Sequence, residues 1–343
     1  MPRRETRIVM ANEVLKISLK KVVVDYDFRN DSDEDVTTEV SFPVPPYINA
    51  VEAWSSPDEA SFKDFRLWVD GKPVNYEVEA KAFLAGKDVT AMLKANRIDI
   101  PTFGNFKETV DSKKGIVRIN CPDFEKLPLT AKNSLLKAGI FRIIEAPIGE
   151  WTVRLQYHWA QTFPARSTVH IRHEYQPVDG HMPLSLLLVA SALDPNKVEK
   201  QGQLNNNIKY QLKQGILTNF CTEPAFLRTV LRDLIAAFQP LHPDDLEETG
   251  EIEFGADWVD FILTTANTWK QPIEDFTLIV ERPQTEKDSQ SLISFCSPQD
   301  AKVDKLDTDH FQVHLSNFIP SSELHIGFFN VPNAKPAKSA VRK

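Results

Sequence analysis

The sequence predicts a mainly β protein with α+β character, in which an antiparallel β-sandwich-like N-terminal domain precedes a C-terminal antiparallel sheet with a packed helix. Three observations predict this fold class. Apolar and polar residues alternate in many short segments, as at Leu15, Ile17 and Leu19, and this period places one strand face on a core. The 23 prolines suit short strands with defined ends. The clearest helical spacing of apolar residues lies at 224–238.

The first strands are predicted between residues 14 and 44. Residues 22–28 alternate in the same way as the segment before them, and the Asn-Asp-Ser-Asp stretch at 30–33 is typical of a turn. Residues 36–42 form the next alternating segment, which ends at a group of prolines. These patterns indicate antiparallel strands joined by polar turns.

The pattern becomes mixed after residue 76. Residues 77–84 carry several helix formers and favour a helical segment, and Asp88 is placed to cap a short helix behind it. Residues 99–114 have the composition of a loop. A strand at 116–119 and a helix at 127–137 complete a small helical insert.

Two strong β segments follow. Trp151, Val153, Leu155 and Tyr157 share one strand face, and the segment 169–175 alternates in the same way. Because the two segments are close in sequence, they favour a hairpin-like unit.

Strand alternation returns after the 224–238 helix and continues to about residue 329. A chain of 343 residues is longer than one ordinary core usually holds. We therefore predict a β-sandwich-like domain at 8–180, an α+β domain at 181–331 and a disordered basic tail at 332–343.

Composition disfavours several function classes. With 48 acidic and 40 basic residues the net charge is −8, whereas nucleic-acid binders usually show a basic excess. No segment reaches the roughly 20 apolar residues of a membrane span. Glycine-rich phosphate loops are disfavoured because the chain has 12 glycines. No cofactor is predicted, and no apolar signal-peptide region follows the arginines near the start.

The densest ionisable cluster is the His-Ile-Arg-His-Glu stretch at 170–174. A zinc protease motif needs two histidines on one face of a helix, whereas this stretch has strand periodicity, which turns His170 and His173 to opposite faces. His173 shares its face with Ile171 and Tyr175, so a hydrogen-bonded core or edge histidine is favoured over a metal ligand. No metal site is predicted.

An aromatic group at 157–163 suggests a second kind of site. Tyr157, His158, Trp159 and Phe163 offer rings that could stack on a sugar or a peptide. Tyr157 continues the inward series of its strand, so core packing is favoured for it. His158 and Trp159 stay candidates for ligand binding, although they alternate in face.

Many segments together resemble one bacterial family of unknown function. The resemblance rests on Val22–Asn30, Asp35–Thr38, Phe42–Pro45, Val69–Gly71, Gly86–Thr90, Phe163–Pro164, His173–Pro177, Phe261–Thr265, Asn267–Trp269, Pro272–Ile273 and Ser294–Cys296. It covers most of residues 8–331. The opening strands also resemble the β-sandwich of vault-inter-α-trypsin-type modules over about the first hundred residues.

The family resemblance implies an exported, periplasmic protein without an established activity. His158, Trp159, His173 and Trp269 are the candidate ligand-binding residues. Three cysteines leave open whether all are reduced or one bridge forms. In an exported protein, a Cys221–Cys296 bridge would tie the 224–238 helix to the C-terminal sheet.

The leading functional hypothesis is a non-enzymatic envelope protein that binds a protein or a glycan. The alternative is a hydrolase whose site is assembled only in three dimensions. A deep pocket with several ionisable groups would favour the enzyme, and a shallow aromatic surface would favour binding.

Overall fold

The structure is a computed structural model that describes residues 5–48, 62–101, 107–111, 116–143, 147–149, 151–194, 209, 212, 217–237, 253–284 and 289–332. The strands in chain order are β1 Ile8–Ile17, β2 Val22–Asn30, β3 Val36–Pro43, β4 Tyr47–Ile48, β5 Lys63–Val69, β6 Lys72–Pro73, β7 Glu77–Leu84, β8 Lys87–Asp88, β9 Lys107–Asp111, β10 Ile116–Asn120, β11 Phe141–Ile143, β12 Pro147–Gly149, β13 Thr152–Phe163, β14 Thr168–Gln176, β15 Asp179–Ser185, β16 Glu253–Phe261, β17 Ile273–Glu281, β18 Ser289–Phe295, β19 Asp304–Lys305, β20 His310–Phe318 and β21 Leu324–Pro332. The helices are α1 Thr90–Ala95, α2 Pro122–Glu125, α3 Leu129–Lys137, α4 Leu186–Leu193 and α5 Pro224–Ala237, and 3-10 turns lie at Thr218–Phe220, Thr264–Thr268 and Pro298–Asp300.

Two sheets form a β-sandwich. The large sheet has eight strands in the order β19-β20-β17-β1-β2-β14-β5-β6, and the second has the order β3-β13-β7-β8, with β4 also on β13. Alternate residues of each strand point inward, and Phe28 of the large sheet meets Phe163 of the second with 5.7 Å between ring centroids. The period-two prediction of a mainly β, sandwich-like fold is confirmed.

The hairpin predicted for 151–175 is wrong. β13 pairs with β3 and β7 in the second sheet, whereas β14 pairs with β2 and β5 in the large sheet. The chain crosses from one layer to the other between them, so their inward faces oppose each other across the core. Strand periodicity is the same in both arrangements and cannot distinguish a hairpin from a crossing.

Two local predictions in the insert are also wrong. The helix formers at 77–84 form strand β7, because seven of these residues pair with β13 in antiparallel register and tertiary pairing overrides a weak helical preference. The segment 99–114, predicted as a loop, contains β9, which pairs with β10. The predicted short helix behind Asp88 is present as α1, and the Thr90 amide donates to the Asp88 carboxylate at 2.9 Å.

The third sheet has the order β15-β16-β21-β18. Helices α4 and α5 pack on one of its faces through an apolar cluster that includes Leu188, Leu227 and Phe329. The other face joins the main core through Val259 and Ile326. The helix predicted at 224–238 therefore packs on a C-terminal antiparallel sheet, as expected from its broad apolar stripe.

The large sheet contains strands from both sides of the boundary predicted at residue 180. β1 pairs in parallel with β17, from Asn12 opposite Asp275 to Ile17 opposite Val280. The segments 8–180 and 181–331 therefore share one sheet and one apolar core. Of the basic tail predicted at 332–343, only Pro332 lies within the described residues. In the described part of the chain, no helix has the length and apolar character needed to cross a bilayer.

Candidate functional site

A cavity of about 700 Å³ lies between the two sheets of the sandwich. We call it the sandwich cavity; it is lined by Glu5, Met10, Glu13, Tyr26, Phe28, Thr37, Thr38, Glu39, Val40, Ser41, Phe42, Gln156, Trp159, Ile171, His173, Phe261, Ile262, Leu263, Thr265, Ala266, Thr268 and Trp269. Exposed residues such as Thr37 and Glu39 belong to this lining together with buried ones such as Glu13 and His173. The cavity therefore extends from the protein surface into the core, and its size is that of a small-molecule site.

The cavity has three walls, two formed by the sheets and one by a connecting segment. β1, β2 and β14 supply the large-sheet wall, and β3 with β13 supplies the opposite wall. β3 is an edge strand of its sheet, so its residues border the opening. The third wall is the segment from Phe261 to Trp269, which leaves the end of β16.

Glu323 holds the third wall in place. Its carboxylate accepts hydrogen bonds from the backbone amides of Leu263 and Thr264, at 2.7 and 3.2 Å, and from the Thr264 hydroxyl. The Asn267 amide donates to the Pro320 carbonyl at 2.8 Å. The backbone amide of Glu5 donates to the Thr268 carbonyl at 2.8 Å. These bonds fix the turn that brings Trp269 against Phe28, with 4.5 Å between ring centroids.

His173 lies on the buried wall of the cavity. Its ring packs among aromatic rings, the nearest of which is Phe42 at 4.3 Å between centroids. Neither ring nitrogen has a hydrogen-bond partner among the described residues. Burial, and then the charge of Arg172, lowers the pKa of His173 to about 3. The position on the core face was predicted correctly, and the hydrogen bond predicted for this histidine was wrong, because its neighbours are rings instead of polar groups.

Glu13 is the second buried ionisable group of the cavity, and the sequence patterns did not single it out. Its side chain is 2% exposed, and the structure shows no hydrogen bond or ion pair from it to any described residue. Burial raises the pKa of Glu13 to about 8. The alternation along β1 could have identified it, because Glu13 shares a strand face with the buried Leu15 and Ile17.

The remaining predicted residues fall on two sides of the second sheet. Trp159 faces the cavity, and its indole N–H has no hydrogen-bond partner among the described residues. His158 points to the outer face, with its Nδ1 atom 3.6 Å from the Glu39 carboxylate. The cavity thus brings together Trp159, His173 and Trp269 of the four candidates and leaves His158 outside.

The two cysteines of the predicted bridge are not part of the cavity lining. Cys221 and Cys296 are joined in a disulfide with 5.0 Å between their Cα atoms. The bridge links the turn before α5 to the end of β18. Cys121 is a buried free thiol.

Within the described residues, no group of three or more His, Cys, Asp and Glu side chains has the arrangement to hold a metal ion. His170 is exposed, and its Nδ1 atom lies 3.0 Å from the Asp27 carboxylate on the outer face of the large sheet. His170 and His173 therefore point to opposite faces, as the strand period predicts.

Comparisons with known proteins place the chain in a family. No curated protein matches it. One similar solved structure is the crystal structure of a "putative nutrient binding protein" from Legionella pneumophila subsp. pneumophila str. Philadelphia 1, with 15% sequence identity, a TM-score of 0.40, and coverage of 96% of this chain and 69% of that chain. The model of one family, DUF4424, a domain of unknown function, matches residues 3–326. The chain therefore belongs to the DUF4424 family.

Proposed function

We propose that this chain is a non-enzymatic binding protein, exported to the periplasm, that holds a small organic ligand in the sandwich cavity. One observation carries the proposal. The Glu13 carboxyl, the His173 ring and the Trp159 indole N–H all border the same cavity. The His173 nitrogens and the Trp159 N–H are buried without a hydrogen-bond partner among the described residues, and the structure shows no hydrogen bond or ion pair from Glu13 to any described residue, its pKa being shifted by burial alone.

Such groups are expensive to keep in a core. An unsatisfied buried polar group costs about 1–3 kcal/mol, and an apolar residue of similar shape would avoid that cost at each position. Molecules that enter the cavity can supply the bonds that the protein does not. Of the two partner classes predicted from the sequence, this enclosed shape suits a ligand of small-glycan size better than a protein surface.

The cavity is deep and lined by several ionisable groups, which taken alone would favour an enzyme. The state of His173 favours binding instead. A catalytic histidine is usually oriented by a hydrogen bond at its second ring nitrogen, and His173 has none within the described residues. With its pKa lowered to about 3, the ring is also a weak base at neutral pH.

A hydrolase remains the second candidate because of Glu13. Its pKa of about 8 lies near neutral pH, where a carboxyl group can act as a general acid. A panel of ester and glycoside substrates tests this candidate, and turnover that disappears in Glu13→Gln would support it over simple binding.

A thermal-shift screen of small neutral, cationic and anionic compounds tests the binding proposal. A ligand at about 100 times its Kd stabilises the native state by about 2.7 kcal/mol. Thr38→Trp places a large ring on the inward face of edge strand β3 and fills part of the cavity, whereas Thr162→Trp places the same ring on the outer face of β13. We expect ligands to stabilise the wild type and Thr162→Trp but not Thr38→Trp. Equal stabilisation of all three proteins would contradict the proposal.

The periplasmic location rests on the family resemblance and agrees with the Cys221–Cys296 disulfide, since such bonds persist in oxidising compartments. Fractionation of cells that express the tagged full-length gene product tests it. Recovery with a cytoplasmic marker would contradict the location without affecting the cavity.

A further inference from the structure

The charged side chains in the described lining of the sandwich cavity are all acidic. Its lining includes the carboxyl groups of Glu5, Glu13 and Glu39, and no lysine or arginine belongs to the described lining. Glu5 forms an ion pair with Arg7 at 2.8 Å, and Glu39 is an exposed residue at the opening near His158. Glu13 is thus the carboxyl group at the buried end, without a positive partner in the described part of the chain.

Aromatic rings form much of the surrounding wall. The lining includes Tyr26, Phe28, Phe42, Trp159, Phe261 and Trp269. Tyr26 lies directly opposite Glu13 in the antiparallel pair of β1 and β2. Its ring centroid is 5.5 Å from that of Phe28, which in turn contacts Trp269. A chain of rings therefore leads from the buried carboxyl group to the third wall.

The acidic lining and the aromatic rings together favour a positively charged ligand. The face of an aromatic ring attracts a cation, and the attraction grows when the cation leaves water. A buried carboxylate gains most from a positive partner, because its charge is otherwise uncompensated in a medium of low dielectric constant. An anionic ligand would meet carboxyl groups with no cationic side chain in the described lining to balance it, and a neutral ligand would leave Glu13 protonated and gain no ion pair from it.

We propose that the sandwich cavity binds an organic cation, an amine or a quaternary ammonium compound, with its positive nitrogen between the Glu13 carboxylate and the aromatic rings around it. This inference rests on the proposed binding function and adds the ligand class. The binding step is the formation of an ion pair inside the cavity, coupled to loss of the Glu13 proton to solvent.

The coupling has a definite direction. Burial raises the pKa of Glu13 to about 8, so the free protein holds a proton there at neutral pH, and the cation replaces it. Phe276, opposite Glu13 on β17, does not titrate, and the other groups considered are Tyr26, opposite Glu13 on β2, and His173, which shares the cavity lining. His173 on β14 is neutral because its pKa is lowered to about 3, and burial raises the pKa of Tyr26 on β2 well above its usual value. Cation affinity is therefore expected to increase with pH up to about 8.

Calorimetric titration with choline and with 3,3-dimethylbutan-1-ol tests the inference. The two probes have the same shape, and choline carries a permanent charge that does not titrate. We expect wild-type protein at pH 9 to bind choline at least about tenfold more tightly than the alcohol, a difference of about 1.4 kcal/mol. Below pH 8 the preference for choline should fall by about tenfold per pH unit, because choline must then displace the Glu13 proton. Titrations below pH 8 in two buffers of different ionisation enthalpy measure this release, and we expect about one proton per bound choline.

Two variants test whether the preference for choline depends on Glu13. Glu13→Gln is expected to lose the preference for choline and to keep its affinity for the alcohol, whereas Glu77→Gln, an exposed carboxyl group on β7, is expected to behave as wild type. If Glu13→Gln does not fold, proton release and pH dependence in the wild type decide the question. Benzylamine against benzyl alcohol extends the test to a primary amine.

The outcomes separate the two proposals. If neither cation binds more tightly than its neutral partner, or if the preference survives in Glu13→Gln, the inference is wrong. In that case neutral compounds that bind the wild type but not Thr38→Trp would leave the binding function standing. Absence of any ligand sensitive to Thr38→Trp would overturn both proposals.

Discussion

The inward face of β1 contains one residue that its neighbours would not predict. Glu13 lies in line with Leu15 and Ile17, which are fully buried, and opposite Phe276 of β17. A carboxyl group at this position is disfavoured in its charged form by burial alone. The same property that makes Glu13 a candidate for ligand recognition therefore makes the stability of the protein depend on pH.

We expect Glu13→Gln to be more stable than the wild type at high pH. The folded-state pKa of about 8 lies above the ordinary value of 4.5, so the unfolded chain loses its proton first and the wild type loses stability as the pH increases between those values. At 1.4 kcal/mol per pKa unit, the variant should be more stable at pH 9 by roughly 3–5 kcal/mol and similar at pH 5. Urea denaturation at both pH values measures this difference. Glu77→Gln is the control, and parallel profiles for wild type and Glu13→Gln would contradict the prediction.

His173 supports a second prediction at a single position. Phenylalanine suits its aromatic surroundings and removes two ring nitrogens that lack partners within the described residues, so we expect His173→Phe to stabilise the fold by about 1–3 kcal/mol at pH 7. Because the folded-state pKa is lowered from 6.5 to about 3, the unfolded chain takes up a proton first. The wild type therefore loses stability as the pH falls below about 6.5, and the advantage of the variant should increase at pH 5.

The exposed His170 on the same strand provides the matched control for His173→Phe. His170→Phe changes the same residue type on the outer face and is expected to shift stability little. Chemical denaturation at pH 7 and pH 5 measures both variants. A destabilised His173→Phe would show that the histidine ring makes a structural contact that phenylalanine cannot replace.

At the level of the elements, strand periodicity predicts which residues are buried but not which strands become neighbours. Alternation located β13 and β14 and their inward faces, because burial on one side of a strand leaves a period of two. It could not assign them to opposite sheets, since pairing depends on contacts between distant segments. The same limit applies to β7, whose helix formers pair with β13. Trp159, His173 and Trp269 were predicted one by one, and their convergence on one cavity depends on that pairing.

The Cys221–Cys296 disulfide joins the turn before α5 to the residue after β18, and α5 packs on the sheet that contains β18. It connects residues separated by 75 positions, and closing a loop of this length in the unfolded chain stabilises the native state by roughly 2–5 kcal/mol. We expect the double variant Cys221→Ala/Cys296→Ala to lose that amount of unfolding free energy. Reduced wild type should match the variant, and the variant should not respond to dithiothreitol. If dithiothreitol leaves the unfolding of wild type unchanged, the disulfide does not stabilise the protein.

For the whole molecule, the parallel pair of β1 and β17 makes one sheet from the two halves of the chain. β17, with β20 beyond it, covers an edge of β1 that would otherwise expose a row of unpaired backbone groups. Phe276, Leu278 and Val280 of β17 are fully buried in the main core. The sandwich cavity also depends on both halves of the chain, because its third wall follows β16 and is held by Glu323, just before β21.

A fragment that ends at residue 176 tests this dependence. It retains β1, β2, β5, β6 and β14 of the large sheet but loses the buried side chains of β17, each of which contributes about 1.5–3 kcal/mol when fully buried. Since a domain is stable by only about 5–15 kcal/mol, we expect the fragment to lack a cooperative unfolding transition, whereas the full chain unfolds as one unit. Urea denaturation followed by circular dichroism and by tryptophan fluorescence measures both proteins. A fragment that unfolds cooperatively near the midpoint of the full chain would show that residues 8–180 fold as an independent domain, and would assign the β1–β17 pair to docking between domains instead of to folding.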